Sequence, residues 1–135
     1  MRPTSPPKAI WLALAASLAL AAPAAASGGF FCEGDGGVSL EMATGRLPVL
    51  QVIGAYAEAG GVAYSTGPER GEGIPFVVGQ AFADDTGVKV DFVDPNFETI
   101  LVGVRMTFDG PDEDWPLTGI LTVHGVDYPV RCGGD

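Results

Sequence analysis

The stretch Ile120-Leu121-Thr122-Val123-His124-Gly125-Val126-Asp127-Tyr128-Pro129-Val130-Arg131-Cys132 decides the fold class. Ile120 to Val123 reads as one strand, His124-Gly125 as a tight turn, and Val126, Tyr128, Val130 and Cys132 as one face of the returning strand. Period-two alternation around a two-residue turn is the pattern of a β-hairpin. Cys132 shares its facing with apolar residues, which suits a buried bridge.

The other cysteine is Cys32. In an oxidising compartment an even pair of cysteines joins, so a Cys32–Cys132 disulfide is expected. It would close a loop of about 100 residues, worth up to ~4–5 kcal/mol on the chain-entropy account. Bridging needs the two Cα atoms within about 7 Å, so the first and last segments must be neighbours. A sheet whose ends meet is a barrel or a closed sandwich. A redox or metal-binding role would call for a second cysteine pair or a nearby histidine, and the sequence offers neither.

Between the cysteines, apolar alternation punctuated by glycine recurs. Ile100, Val102, Val104, Met106 and Phe108 fall on one face, with Gly103, Arg105, Thr107 and Asp109 on the other. Val88, Val90 and Phe92 alternate with Lys89 and Asp91, and residues 76–83 reach them through Asp84-Asp85-Thr86-Gly87. Phe30 to Glu33, the alternating Val38, Leu40 and Met42, and Val62 to Thr66 read as further strands. Residues 48–58 read as a long strand because Val49, Val52 and Ile53 are β-branched, although Ala55, Ala57 and Ala59 also suit a short helix. The expected fold is all-β, a closed barrel or sandwich of eight to nine antiparallel strands.

Residues 1–26 read as a cleaved signal peptide. Arg2 and Lys8 precede an apolar run from Ala9 to Ala22, Pro23 breaks it, and Ala24-Ala25-Ala26 offers the small residues of a cleavage site. A membrane span needs roughly 20 apolar residues, and this run has 14. Residues 27–135 then form a single domain, periplasmic or, as the alternative, secreted.

The processed chain keeps five basic residues against seventeen acidic ones, a net charge of −12. Such a surface repels phosphate backbones and anionic lipid, which argues against nucleic acid and against membrane insertion of the mature chain. It suits a basic protein or another envelope component as partner, approached by a monomer. No cofactor is expected.

No catalytic constellation emerges, so no catalytic residue is assigned. His124 sits in a tight turn, and Ser27, Ser39 and Ser65 lie outside any Gly-x-Ser-x-Gly context. Gly34-Asp35-Gly36-Gly37 lacks dinucleotide-binding spacing, and no phosphate-loop lysine exists. Asp109, Asp112, Glu113 and Asp114 are oxygen donors without the EF-hand order, and no metal site is assigned. Recognition remains. Trp115, the only tryptophan after residue 26, lies in the acidic loop 109–116 beside Asp112 and Asp114; Tyr64 follows the Gly60-Gly61 turn. These four are the candidate partner-binding residues, since an exposed Trp or Tyr is a typical anchor. Loop 67–73 is the second surface expected to meet a partner.

Residues 60–67, Gly60-Gly61-Val62-Ala63-Tyr64-Ser65-Thr66-Gly67, resemble the Ser-Gly-x-x-Tyr segment of the periplasmic inhibitors of c-type lysozyme, with Gly61, Tyr64 and Gly67 matching. The family's serine is Gly60 here and its basic residue is Ala63. The resemblance implies a small disulfide-bearing β-barrel with a cysteine near each end. With no catalytic constellation in the sequence, function is expected to be non-enzymatic binding, inhibitor-like in kind. The alternatives are a structural, envelope-associated β domain, or a hydrolase working through acidic residues alone.

Overall fold

The computed structural model describes residues 28–134, so the signal peptide expected over residues 1–26 lies outside the described residues. Ten strands follow one another: β1 (Gly28–Gly34), β2 (Val38–Thr44), β3 (Val52–Ala59), β4 (Val62–Ser65), β5 (Ile74–Pro75), β6 (Val77–Ala83), β7 (Gly87–Val93), β8 (Ile100–Thr107), β9 (Leu117–Val123) and β10 (Val126–Gly134). They form one sheet in the order β5-β4-β3-β2-β1-β10-β9-β8-β7-β6. The edge strands β5 and β6 are consecutive in the chain, with only Phe76 between them. The sheet must therefore curl until its edges meet, which makes it a nearly closed barrel.

Three expectations are corrected. The strands number ten rather than eight or nine, because the short β5 carries too little sequence to be read as a strand. The pairing is not wholly antiparallel, since β4 and β5 run parallel, Tyr64 opposite Ile74 and Ser65 opposite Pro75. Residues 52–59 form a strand and not a helix, while Pro48 to Leu50 stay in the preceding loop.

The hairpin that decided the reading is present. His124 and Gly125 adopt φ of 49° and 75°, both left-handed, as a two-residue turn matched to strand twist requires. β1 and β10 lie side by side, and Cys32 stands directly opposite Cys132 with a Cα–Cα distance of 4.1 Å. Their disulfide points into the barrel, and the Cys32 sulfur touches the Met106 sulfur at 3.8 Å. Disulfides persist in oxidising compartments, so the bridge is consistent with an extracellular or periplasmic location.

The core follows the alternation. Val38, Leu40 and Met42 of β2, Val88, Val90 and Phe92 of β7, Val102, Val104 and Met106 of β8, and Leu121 and Val123 of β9 all point inward and are buried. Burying each such side chain contributes ~1.5–3 kcal/mol. On β3 the inward residues are Ala55, Ala57 and Ala59, and Ala57 lies opposite Tyr64. These small side chains leave room for a stack of rings, Tyr64 on Phe76 at 5.8 Å and Phe76 on Phe92 at 4.4 Å. Among the described residues no helix is long and apolar enough to cross a membrane.

Candidate functional site

Both loops singled out in the sequence fold back onto the outer wall of the barrel. Loop 109–116 is pinned at its neck by the Gly110 N–H, which donates to the Pro116 carbonyl at 2.9 Å. Within it the Asp112 carboxylate accepts the backbone N–H groups of Asp114 and Trp115, each at 3.0 Å. That carboxylate closes a turn, which is how aspartate commonly acts in loops. The Asp114 side chain is exposed, and its carbonyl lies over β10 where a Cβ on Gly133 would come within 2.8 Å of it.

Trp115 is consequently laid against the wall and only half buried. Its ring packs on Phe31 of β1, with centroids 6.2 Å apart, and the Arg131 guanidinium stands 5.1 Å from its centroid. Arg131 also pairs with Glu33 on the neighbouring strand. The indole thus keeps one face on protein and one edge toward solvent, and the cation above it adds ~0.5–1 kcal/mol at such a site.

Loop 67–73 covers β3 from the other side. The Arg70 guanidinium lies over Gly54, so close that a Cβ there would meet its Nε at 2.6 Å, and Gly71 rests on the Tyr56 ring. Beside Arg70 lies an open cleft of about 330 Å³, which Trp115 reaches only through its contact with Phe31. Its floor is made of Gly29, Ala43 and Gly133, small residues on three adjacent strands; Phe31, Glu41 and Arg70 rise at its sides. Only two ion pairs occur among the described residues, Arg105–Asp91 and Arg131–Glu33, so Arg70 enters neither.

Tyr64 is not part of this cleft. It faces the interior, fully buried, with its ring 6.0 Å from that of His124. Its hydroxyl has no hydrogen-bond partner among the described residues. Burial, with Tyr128 nearby, pushes the phenol above its ordinary pKa. Trp115, Asp112 and Asp114 share one loop, and the structure does not bring Tyr64 to them.

A second polar grouping lies on the outer face of β7 and β8. The Asp91 carboxylate accepts two hydrogen bonds from Arg105, at 2.9 and 3.2 Å, and one from the Gln80 amide. It fills the space left by Gly103 across the ladder, where a Cβ would sit 2.9 Å from its oxygen. Burial pushes this carboxyl up, but the bonds from Arg105 and Gln80 and the charge of Arg105 outweigh it and hold the pKa below the ordinary value. A hollow of about 250 Å³ opens beside it, with Thr122 and His124 on its rim.

Two further aspartates serve the backbone and local hydroxyls. Asp94 accepts N–H groups of Asn96, Glu98 and Thr99, and Asp109 accepts the hydroxyls of Thr107 and Thr118, both at 2.6 Å. No three metal-ligating side chains stand together among the described residues.

The sequence places Trp115 and Arg70 in the two recognition loops but does not reveal Phe31, Arg131 or the glycine floor. Phe31 carried a signal: it alternates outward beside the inward Cys32, an apolar residue on a solvent face. Arg70 belongs to the expected loop 67–73, but nothing local says which strand that loop will cover.

No family model matches the chain, and comparison with curated proteins and with solved structures finds no match. The likeness of residues 60–67 to the lysozyme inhibitors therefore rests on that short segment and the cysteine placement. Its central tyrosine, turned inward here, is not a surface contact.

Proposed function

We propose that the chain is an exported, non-enzymatic binding module, inhibitor-like in kind, which takes a basic protein at the outer-wall cleft. The observation that carries this reading is a cleft walled by Phe31 and by Arg70 of loop 67–73, with Trp115 of the other loop packed on Phe31 beside it. An aromatic pair half open to solvent supplies apolar contact at small entropic cost, and a glycine floor lets a partner approach the backbone closely. The charge of −12 adds long-range attraction for a cationic protein, which raises the rate of encounter.

The test is affinity capture from a periplasmic extract, comparing wild type with the Trp115→Ala and Arg70→Ala variants. A basic protein retained by wild type and lost or weakened with either variant is expected. Its association rate should fall steeply between about 0.01 and 0.15 M salt, as the Debye length shrinks from about 30 to about 8 Å. Equal retention by all three proteins would remove the cleft from the account. Sedimentation of the chain with envelope material, with no soluble partner, would favour the structural alternative.

A further inference from the structure

The curled sheet leaves a seam. β6 has β7 on one side and no strand on the other. Across the barrel opening, β3 pairs with β4 only from Tyr56 to Ala59. One step further Ala55 is satisfied by Thr66, whose N–H donates to the Ala55 carbonyl at 3.1 Å and whose Oγ1 accepts the Ala55 N–H at 3.0 Å. Beyond that point Val52, Ile53 and Gly54 have no strand beside them on that side. The seam is pinned at one end by the Phe76 N–H donating to the Ser65 carbonyl at 3.1 Å. At the other end Ala83 shares a cleft of about 260 Å³ with the loop from Leu47 to Gln51.

The borders of this opening are apolar. Leu47, Val49, Ile53, Ile74 and Phe82 are each 45–70% exposed. Inside it Val52, Val78 and Ala81 are half buried against the core. Residues 73–83 contain no charged side chain, in a chain otherwise rich in acid. Exposed edges in stable monomers are normally blunted by lysine or another charge. Here the only irregularity is a bulge between Val78 and Gln80.

We propose that this seam accepts an extended, basic-flanked segment of a partner protein as an added strand, beside β6 and facing the open part of β3. Alternate residues of such a segment would turn inward over Val52, Val78 and Ala81, so they should be apolar. The rest would face solvent between Ile53 and Phe82. Main-chain hydrogen bonds to the bare edge supply affinity, and the inward contacts supply selectivity. Charge decides the occupant. The loops at the two ends carry Asp84 and Asp85, and Glu69 and Glu72, against Arg46 and Arg70, and Lys89 stands opposite Phe82, so the rim keeps a net charge of −1. A second copy of the chain would bring another −12 to the same place. The inference does not depend on a partner at the outer-wall cleft, although Gly29, Phe30 and Gly134 line both that cleft and the opening beside Ala83.

Residue-resolved amide hydrogen exchange on the whole processed chain tests it, with and without a short synthetic peptide of alternating lysine and valine, and with a glutamate–valine peptide as control. The lysine peptide is expected to slow exchange by ~10-fold or more in residues 77–83 and 52–54, and the glutamate peptide to leave them unchanged. Phe82→Lys, at an exposed position, should weaken the lysine peptide's effect without unfolding the chain. Three results would overturn the proposal: no protection, protection confined to β1 and β10, or protection of β6 that grows with protein concentration in the absence of peptide. The last would assign the edge to self-association.

Discussion

Asp91 is the residue where alternation alone misleads. It lies between the inward Val90 and Phe92, so a period-two reading puts it on the wet face, and it is indeed on the outer face. Yet it is buried, because its cross-strand neighbour is Gly103 and because Arg105 and Gln80 close over it. The facing was legible in the sequence; the burial was not, since which residue stands opposite depends on register across two strands. The folded-state pKa of Asp91 is depressed, so its stabilising effect is fully present above the unfolded carboxyl value near ~3.9 and is lost as pH falls through the lower folded value. Asp91→Asn sets an amide nitrogen against the Gln80 amide and removes the charge facing Arg105. With Arg105 about half exposed, the cost at neutral pH should be ~1 kcal/mol, a melting shift of roughly 5 °C. Melting curves of both proteins from pH 7 down to ~2.5 check this: the gap should narrow below the ordinary carboxylate range. A gap independent of pH would mean the charge contributes nothing.

At the scale of elements, reading succeeded where local chemistry dictates geometry. The 120–132 hairpin was legible because its turn needs two left-handed residues and its strands alternate cleanly. β5 was not, because two residues carry no period and its parallel partner comes from curling of the sheet. Val49 has the β-branching of a strand residue but stands exposed in the loop after Pro48, where β-branching marks no strand. Loop 109–116 shows the same division. Its acidity and its tryptophan were visible, whereas its path along the wall depends on Gly110 and Gly133, which let backbones from distant segments touch. A Cβ on Gly110 would collide with the Trp115 carbonyl. Gly110→Ala is therefore expected to open the loop and lift Trp115 from Phe31, shifting tryptophan emission to the red while the barrel keeps its far-ultraviolet dichroism. Trp115 is the sole indole after residue 26, so the signal is unambiguous. Unchanged emission would mean that the loop does not depend on this close approach.

For the whole molecule, one constraint organises the rest. The strands nearest the two ends of the described chain pair with each other, and the sulfur bridge between them lies in the core instead of on the surface. This places the sheet's middle where the termini are, and its two edges at Phe76. The cleft on the outer wall and the seam at the edges are both consequences: one lies over β1 and β10, the other opposite them. The cysteine spacing made the closure legible, but not the position of the seam, which depends on where the strand order ends. Peptide mapping of protein recovered from the envelope fraction, digested without reductant, tests that constraint most directly. A single cross-linked pair of peptides containing Cys32 and Cys132 is the predicted result. Recovery of both residues as free, alkylated thiols would contradict it.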